Sequence, residues 1–315
     1  MNDLDATRRP CMQETHAPSM ASGGFIRRRW ALGILLVAAV GALLVWWLGA
    51  QMRDWLGTLS TLQAGMLASL VAGLFTPVGA LPIMVLRHIS QRLEDALMGF
   101  GAGVMLAATA YSLAMPAYED SLALTGTIGW ALTIVCAGIV CGGLLVWGMD
   151  RFVPHEHFTL GKQGGADALQ IRRIWLFIFA ITIHNFPEGL AVGVGYARGD
   201  MAAGVALTLG IGLQNLPEGL IVSLGLLAIG YSRPTALGAA FLSGLVEPVG
   251  GVIGALAVHI VDALLPFGLA FAAGAMLFVI SHEIIPESHR KGHEGDATFG
   301  VLGGFMLMFV LDKVF

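Results

Sequence analysis

Nine stretches of this chain are apolar over about the 20 residues a helix needs to cross a lipid hydrocarbon core. They are residues 30–50, 58–86, 96–118, 126–149, 174–197, 201–230, 234–258, 264–286 and 297–313. In lipid the backbone must satisfy its own N–H and C=O groups, so segments this long and apolar are read as helices. The expected fold class is an all-α polytopic membrane protein. Composition agrees, since 12% of the 315 residues are charged, 56% are hydrophobic and the mean hydropathy is +0.78, against about 25% charged in a soluble domain. A soluble enzyme or binding module is excluded. The net charge of -4 offers no basic excess to a nucleic acid. The 43 glycines are scattered through the apolar stretches, which points to helices packed closely through small residues. The three cysteines give no disulfide framework, and Cys136 and Cys141 are expected to be packing residues.

The first apolar stretch is set apart as an extra span, and the other eight are numbered one to eight. It follows Arg27, Arg28 and Arg29, is free of charge as far as Arg53, and is long for a signal peptide, so it reads as an uncleaved anchor. The expected organisation is a disordered segment over 1–29, the extra span and its loop over 30–57, and an eight-span domain over 58–315. With the N-terminus in the cytoplasm and each span crossing once, 14 of the 17 basic residues fall inside, as the positive-inside rule asks. The C-terminus is then outside. The loop over 150–173, which carries His155 and His157, is cytoplasmic. The expected location is the plasma membrane, the inner membrane in a Gram-negative cell.

Two internal repeats organise the eight spans. Thr76-Pro77-Val78-Gly79 returns as Glu247-Pro248-Val249-Gly250, and the same shift of 171 residues maps Ala102, Gly103, Met105 and Leu106 onto Ala273, Gly274, Met276 and Leu277. Spans one and two thus match spans six and seven. Five spans separate the copies, so they cross in opposite directions, as in the inverted repeats of transporters. A sharper repeat joins His184-Asn185-Phe186-Pro187-Glu188-Gly189 on span four to Gln214-Asn215-Leu216-Pro217-Glu218-Gly219 on span five. The expected arrangement is a three-two-three bundle preceded by the extra span.

The second repeat carries the chemistry. His184 and Glu188 are four residues apart, as are Gln214 and Glu218, so each pair shares one helical face. Glu247 lies equally deep in span six. Three carboxylates inside apolar spans that hold no Lys or Arg are costly, at about 2.5–3.5 kcal/mol each on insertion scales, and functional by default. Asn185 and Asn215 sit three residues before their glutamates and can share them with a second cluster that includes Glu247. Pro187 and Pro217 release the carbonyls of Ile183 and Leu213 as further acceptors. Imidazole, carboxylate and amide oxygens without thiolate suit a divalent cation such as Zn²⁺, Fe²⁺, Mn²⁺, Co²⁺ or Cd²⁺.

The doubled motif resembles that of the ZIP (Zrt/Irt-like) family of divalent metal transporters, and the Gln of its second copy resembles the bacterial GufA-type branch. The likeness covers spans one to eight and leaves the extra span outside. It implies an inverted three-two-three bundle, a homodimer in membrane lipid, and transport of Zn²⁺ or Cd²⁺, Fe²⁺ or Mn²⁺ into the cytoplasm, with up to two ions per chain. It implies that His184, Glu188, Gln214 and Glu218 form one metal site, and that Asn185, Asn215 and Glu247 join the shared glutamates in a second. Met105 on span two is kept beside them as a candidate, although a Met there also serves packing. His155, His157, His282 and Glu283 are candidates for metal release, and Glu119 and Asp120 for the entrance.

Two other functions compete. An intramembrane metalloenzyme would carry HExxH, yet His282-Glu283-Ile284-Ile285 is followed by Pro286 where the second His is needed. No enzymatic activity is expected. A passive divalent-cation channel uses the same residues and is separated by kinetics.

Overall fold

The computed structural model describes residues 40, 41, 43–152 and 166–315. His155 and His157, the proposed disordered segment and most of the extra span lie outside them. The chain divides into two units, Met1–Leu48 and Gly49–Phe315. In the first, residues 40, 41 and 43–48 are helical and expose Leu43, Trp46 and Trp47.

The second unit is helical through residues 49–56 and then builds eight helical segments numbered as the spans were. These are α1 (Thr61–Ala80), α2 (Gln91–Ala107, continued by a π-helical turn over Ala108–Ala114 into Met115–Thr125), α3 (Ile128–Phe152), α4 (Ala166–Ala197) and α5 (Met201–Ala228). They continue with α6a (Arg233–Gly244), α6b (Val246–Ile260), α7 (Leu265–Val279, a π-helical turn over Ile280–Ile284, then Ile285–Ser288) and α8 (Glu294–Val314). Among the described residues, seven helices are long and apolar enough to cross a membrane.

Local sequence sets the boundaries. Ser60 caps α1 in a reciprocal pair with Gln63, and Ser90, Asp200 and Ser232 cap α2, α5 and α6a by accepting backbone N–H bonds. Gly126 ends α2 at φ 66°, a left-handed cap. Two of the differences from expectation have a clear local cause. Residues 166–173, read as loop, are helical, because Ala-Asp-Ala-Leu-Gln-Ile-Arg-Arg is rich in helix formers and extends α4 beyond its apolar window. Span six is broken at Leu245, three residues before Pro248, whose ring excludes the carbonyl of Gly244 from the helical ladder. Cys136 and Cys141 are exposed on α3 rather than packed inside.

The core is assembled through backbone contacts at glycine. A Cβ at Gly73 would collide with the carbonyl of Gly244, and one at Gly244 with the carbonyl of Gly73. Gly79 is closed in by Leu216, and Gly250 by Phe186. Gly219 is pressed on the backbone of Thr76, and Gly189 on that of Glu247. Each pair follows from the other by the sequence shifts of 171 and 30 residues. The internal repeats are therefore repeats of contact, with α1 against α5 as α6 is against α4. Such approaches need residues without side chains and bring Cα–H groups onto carbonyl oxygens. Large apolar side chains such as Trp130, Leu144, Leu242, Phe299 and Met306 face outward.

Candidate metal centre

Arg198, Gly199 and Asp200 alone join α4 to α5, and Gly199 makes the turn at φ 78°. This tight connection fixes the two motifs side by side in mid-helix, each interrupted by its own proline. His184, Asn185, Glu188, Gln214, Asn215 and Glu247 are each at most 4% exposed. Glu218 is partly buried.

Asn215 is the centre of the polar network. Its Nδ2 donates to the Ala72 carbonyl at 3.0 Å and to Glu247 Oε1 at 2.6 Å, while its Oδ1 accepts from Gln214 Nε2 at 2.5 Å. Its counterpart Asn185 donates from Nδ2 to Ser243 Oγ at 3.0 Å. Ser243 is the residue that the 171-residue shift pairs with Ala72, so the two asparagines tie their helices to equivalent points on α1 and α6a. Gln214 faces Glu188 and Glu218, and Asn185 faces Glu218. Glu188 lies within electrostatic range of Glu218 and Glu247. The cluster thus spans α1, α4, α5 and both parts of α6.

Buried donor atoms remain after these bonds are counted. His184 Nε2, Asn185 Oδ1, Glu188 Oε2, Glu218 Oε1 and Glu247 Oε2 have no hydrogen-bond partner among the described residues. Burying such atoms unsatisfied costs about 1–3 kcal/mol each, and more where the group is charged. A cation held among them would offset that cost. The donors are mixed in type, and among the described residues no three His, Cys, Asp or Glu side chains are gathered as a metal-holding group. Any ion here would be held partly by neutral amide oxygens.

A family profile described as ZIP Zinc transporter matches residues 153–312. Zinc transporter ZIPB of Bordetella bronchiseptica is 46% identical over 237 residues, covering 75% of this chain and 76% of that protein. The chain belongs to the ZIP family. Zinc transporter GufA of Myxococcus xanthus is also 46% identical over 237 residues, covering 75% of this chain and 93% of that protein, which places the chain with the GufA-type members. Zinc transporter ZIP11 of Homo sapiens is 33% identical over 317 residues. ZIP proteins are membrane transporters and not enzymes, in agreement with the absence of HExxH from the sequence.

The other candidates of this ZIP chain fall in different places. Met105 is fully buried on α2, one turn beyond Gly101, where an added Cβ would meet Gln214 Oε1 at 3.2 Å. Glu283 lies near the end of α7, as expected, and brings Oε2 to 2.9 Å from His184 Nε2, although the pair lacks hydrogen-bond alignment. The π-helical turn over Ile280–Ile284 is what turns it inward, since an extra residue per turn rotates the side chains away from α-helical register. His282, in the same turn, stacks at 5.0 Å on Phe278. Asp120 makes a two-pronged ion pair with Arg198 at 2.9 and 3.1 Å, and Glu119 lies 3.8 Å from the same guanidinium.

Sequence reasoning missed the cavity beside that ion pair. It measures about 460 Å³ and is lined by Tyr111, Ser112, Glu119, Arg198, Asp312 and Lys313, among others. Ser112 Oγ donates to Asp312 Oδ1 at 3.2 Å, and Lys313 lies 3.0 Å from Asp312 Oδ2. Asp312 is an acidic residue at the end of the last apolar stretch, which was the available signal.

Proposed function

We propose that this chain carries divalent transition-metal ions, Zn²⁺ foremost, across the membrane into the cytoplasm through the cluster on α4 and α5. The observation that carries this reading is the set of five buried donor atoms without a hydrogen bond among the described residues, on two repeated, proline-interrupted helices and on Glu247. Mixed carboxylate, imidazole and amide ligation binds a borderline cation and also lets it go. In this reading His184, Glu188, Gln214 and Glu218 hold one ion, and Asn185, Asn215 and Glu247 share the glutamates around a second. Cd²⁺, Fe²⁺ and Mn²⁺ are accepted by the same donors.

The cavity beside Glu119 and Asp120 receives the ion. His282 and Glu283 pass it on, toward His155 and His157. The distribution of basic residues supports a cytoplasmic N-terminus, an external C-terminus and residence in the plasma membrane, the inner membrane of a Gram-negative cell. The functional unit is a homodimer in lipid.

The test is reconstitution in liposomes that enclose a metal-sensing dye. Saturable Zn²⁺ uptake that falls about tenfold or more in Glu188→Ala and in Glu218→Ala supports the reading. Uptake unaffected by both substitutions overturns it, and unitary currents would make the protein a channel.

A further inference from the structure

Thr76 is fully buried on α1, and its Oγ1 has no hydrogen-bond partner among the described residues. Helical threonines usually quench the hydroxyl on the carbonyl one turn back. Thr182, Thr208 and Thr298 in this chain do so, at 2.7 Å each. For Thr76 that carbonyl is Ala72 O, which already receives Asn215 Nδ2. The hydroxyl is thus left over in a helix that Pro77 also interrupts.

Its position has a meaning that its identity hides. The shift of 171 residues relating Thr76-Pro77-Val78-Gly79 to Glu247-Pro248-Val249-Gly250 pairs Thr76 with Glu247. Contacts follow the same rule, because the motif glycine Gly219 presses on the Thr76 backbone as Gly189 presses on that of Glu247. The Thr76 backbone is thereby packed against the residue that follows Glu218, as the Glu247 backbone is packed against the residue that follows Glu188. On one side of the cluster Asn215 bonds Glu247 at 2.6 Å. The equivalent pair on the other side is Asn185 and Thr76. There Asn185 Oδ1 and Thr76 Oγ1 are both buried and both without a partner. Gly244, next to the Ser243 that holds Asn185, would bring an added Cβ to 3.1 Å from Thr76 Cβ, so Thr76 and the Asn185 anchor are neighbours. Thr109 and Ser121 also carry unpartnered hydroxyls, but neither pairs with a cluster residue through the repeat.

We infer that Thr76 is a further cation-binding residue of the cluster, supplying a neutral hydroxyl oxygen from α1 where the other repeat supplies the carboxylate of Glu247. This rests on the reading of the α4 and α5 cluster as the transport site. It adds a ligand that the doubled motif does not contain. A hydroxyl in place of a fourth carboxylate holds the donor charge at three while keeping an oxygen at that corner. As a hard, uncharged donor it favours an oxygen-preferring ion such as Mn²⁺ over the softer Cd²⁺.

The test measures equilibrium binding of Zn²⁺, Mn²⁺ and Cd²⁺ to the full-length purified protein, together with its melting temperature without metal. Thr76→Val keeps the shape and removes the oxygen. It should melt at or above the parent without metal, since an unsatisfied hydroxyl has gone, yet bind Zn²⁺ at least about fivefold more weakly, the worth of one net polar contact. Mn²⁺ should lose more than Cd²⁺, a change in selectivity that a packing defect does not produce. Thr76→Ser should stay within about twofold of the parent, and Thr76→Ala should reproduce the loss if the valine variant folds poorly. Parent-like Zn²⁺ affinity in both Thr76→Val and Thr76→Ala overturns the assignment. A Glu188→Ala, Glu218→Ala double variant separates the two readings. If it abolishes binding while Thr76→Val does not weaken it, only the role of Thr76 falls. If it binds as the parent does, the cluster itself is not the site.

Discussion

Glu283 Oε2 on α7 lies 2.9 Å from His184 Nε2 on α4 without the alignment of a hydrogen bond. If the cluster is the transport site, this contact makes Glu283 the next ligand that an ion meets on leaving His184. Glu283→Ala should therefore lower the maximal Zn²⁺ uptake rate by about tenfold, the low end of what a residue supporting a metal ligand contributes, while weakening equilibrium binding much less. The combined His155→Ala, His157→Ala variant should cost less. Uptake rates and binding isotherms on the same preparations decide it, and an equal fall in rate and affinity counts against a relay.

The glutamates of the doubled motif should outweigh its amide. Glu188 and Glu218 each face Gln214 and, in the proposed reading, are shared by both ions, whereas Gln214 offers one neutral oxygen. Alanine at either glutamate should cost about tenfold or more in Zn²⁺ uptake, and Gln214→Ala several-fold less. Loss from Gln214→Ala that equals or exceeds theirs, at matched expression, refutes the shared arrangement.

Much of this was legible in the sequence, and the reason is periodicity. His184 with Glu188 and Gln214 with Glu218 sit at helical spacing inside uncharged apolar runs, so their shared faces followed directly. The repeat of Thr76-Pro77-Val78-Gly79 was legible as a repeat of spans, but which glycines meet which backbones came only from the structure. What could not be read were features that depart from a regular helix. The π-helical turn that swings Glu283 toward His184 changes register without any distinctive residue. The break at Leu245 is placed by a proline three positions later. The Ala72 carbonyl that anchors Asn215 is a backbone atom, present at every position and marked at none. Cys136 and Cys141 were misread because hydrophobic character does not tell an inward face from an outward one when the surroundings are themselves apolar.

Helix contact through glycine predicts a graded stability series. A methyl at Gly189 or Gly219 would run into the backbone of Glu247 or Thr76, neither of which can rotate away. Gly189→Ala and Gly219→Ala should each destabilise by about 1–3 kcal/mol, the usual range for overpacking. Gly303 on α8 has open space at its Cβ position. Gly303→Ala should be neutral or stabilising by up to about 1 kcal/mol through helix propensity. Thermal melts in detergent test the order, and Gly303→Ala falling with the other two would refute it.

Between α7 and α8, Lys291 bridges Glu94 at 2.8 Å and Glu287 at 3.4 Å. Burial works against its ammonium, but bonding and attraction to Glu94 and Glu287 outweigh this and hold its pKa above the ordinary lysine value. A raised folded-state value gives stabilisation that is complete below the unfolded value of about 10.4 and is lost only as pH rises through the folded one. Lys291→Met should therefore destabilise equally at about pH 6 and about pH 8, both far below that value. Because the pair is partly solvent-screened, the loss should be no more than about 1 kcal/mol. A loss that disappears between those two pH values would show that another group is responsible.

Metal and protons should compete at the cluster. The proposed donors that ionise are three carboxylates and an imidazole, and spans four, five and six contain no Lys or Arg to balance them. A carboxylate or imidazole must be free of its proton to bind a metal, so whatever protons these four groups hold have to leave when the ion arrives. Zn²⁺ added to the purified protein in weak buffer should therefore release protons, and apparent Zn²⁺ affinity should weaken as the solution is acidified. Glu188→Gln removes one exchangeable proton and one negative charge while preserving shape. It should release fewer protons per ion bound and show a shallower dependence of affinity on pH. Proton release that is absent in the parent, together with an affinity that does not change with pH, would mean that the ion is held by groups other than these carboxylates.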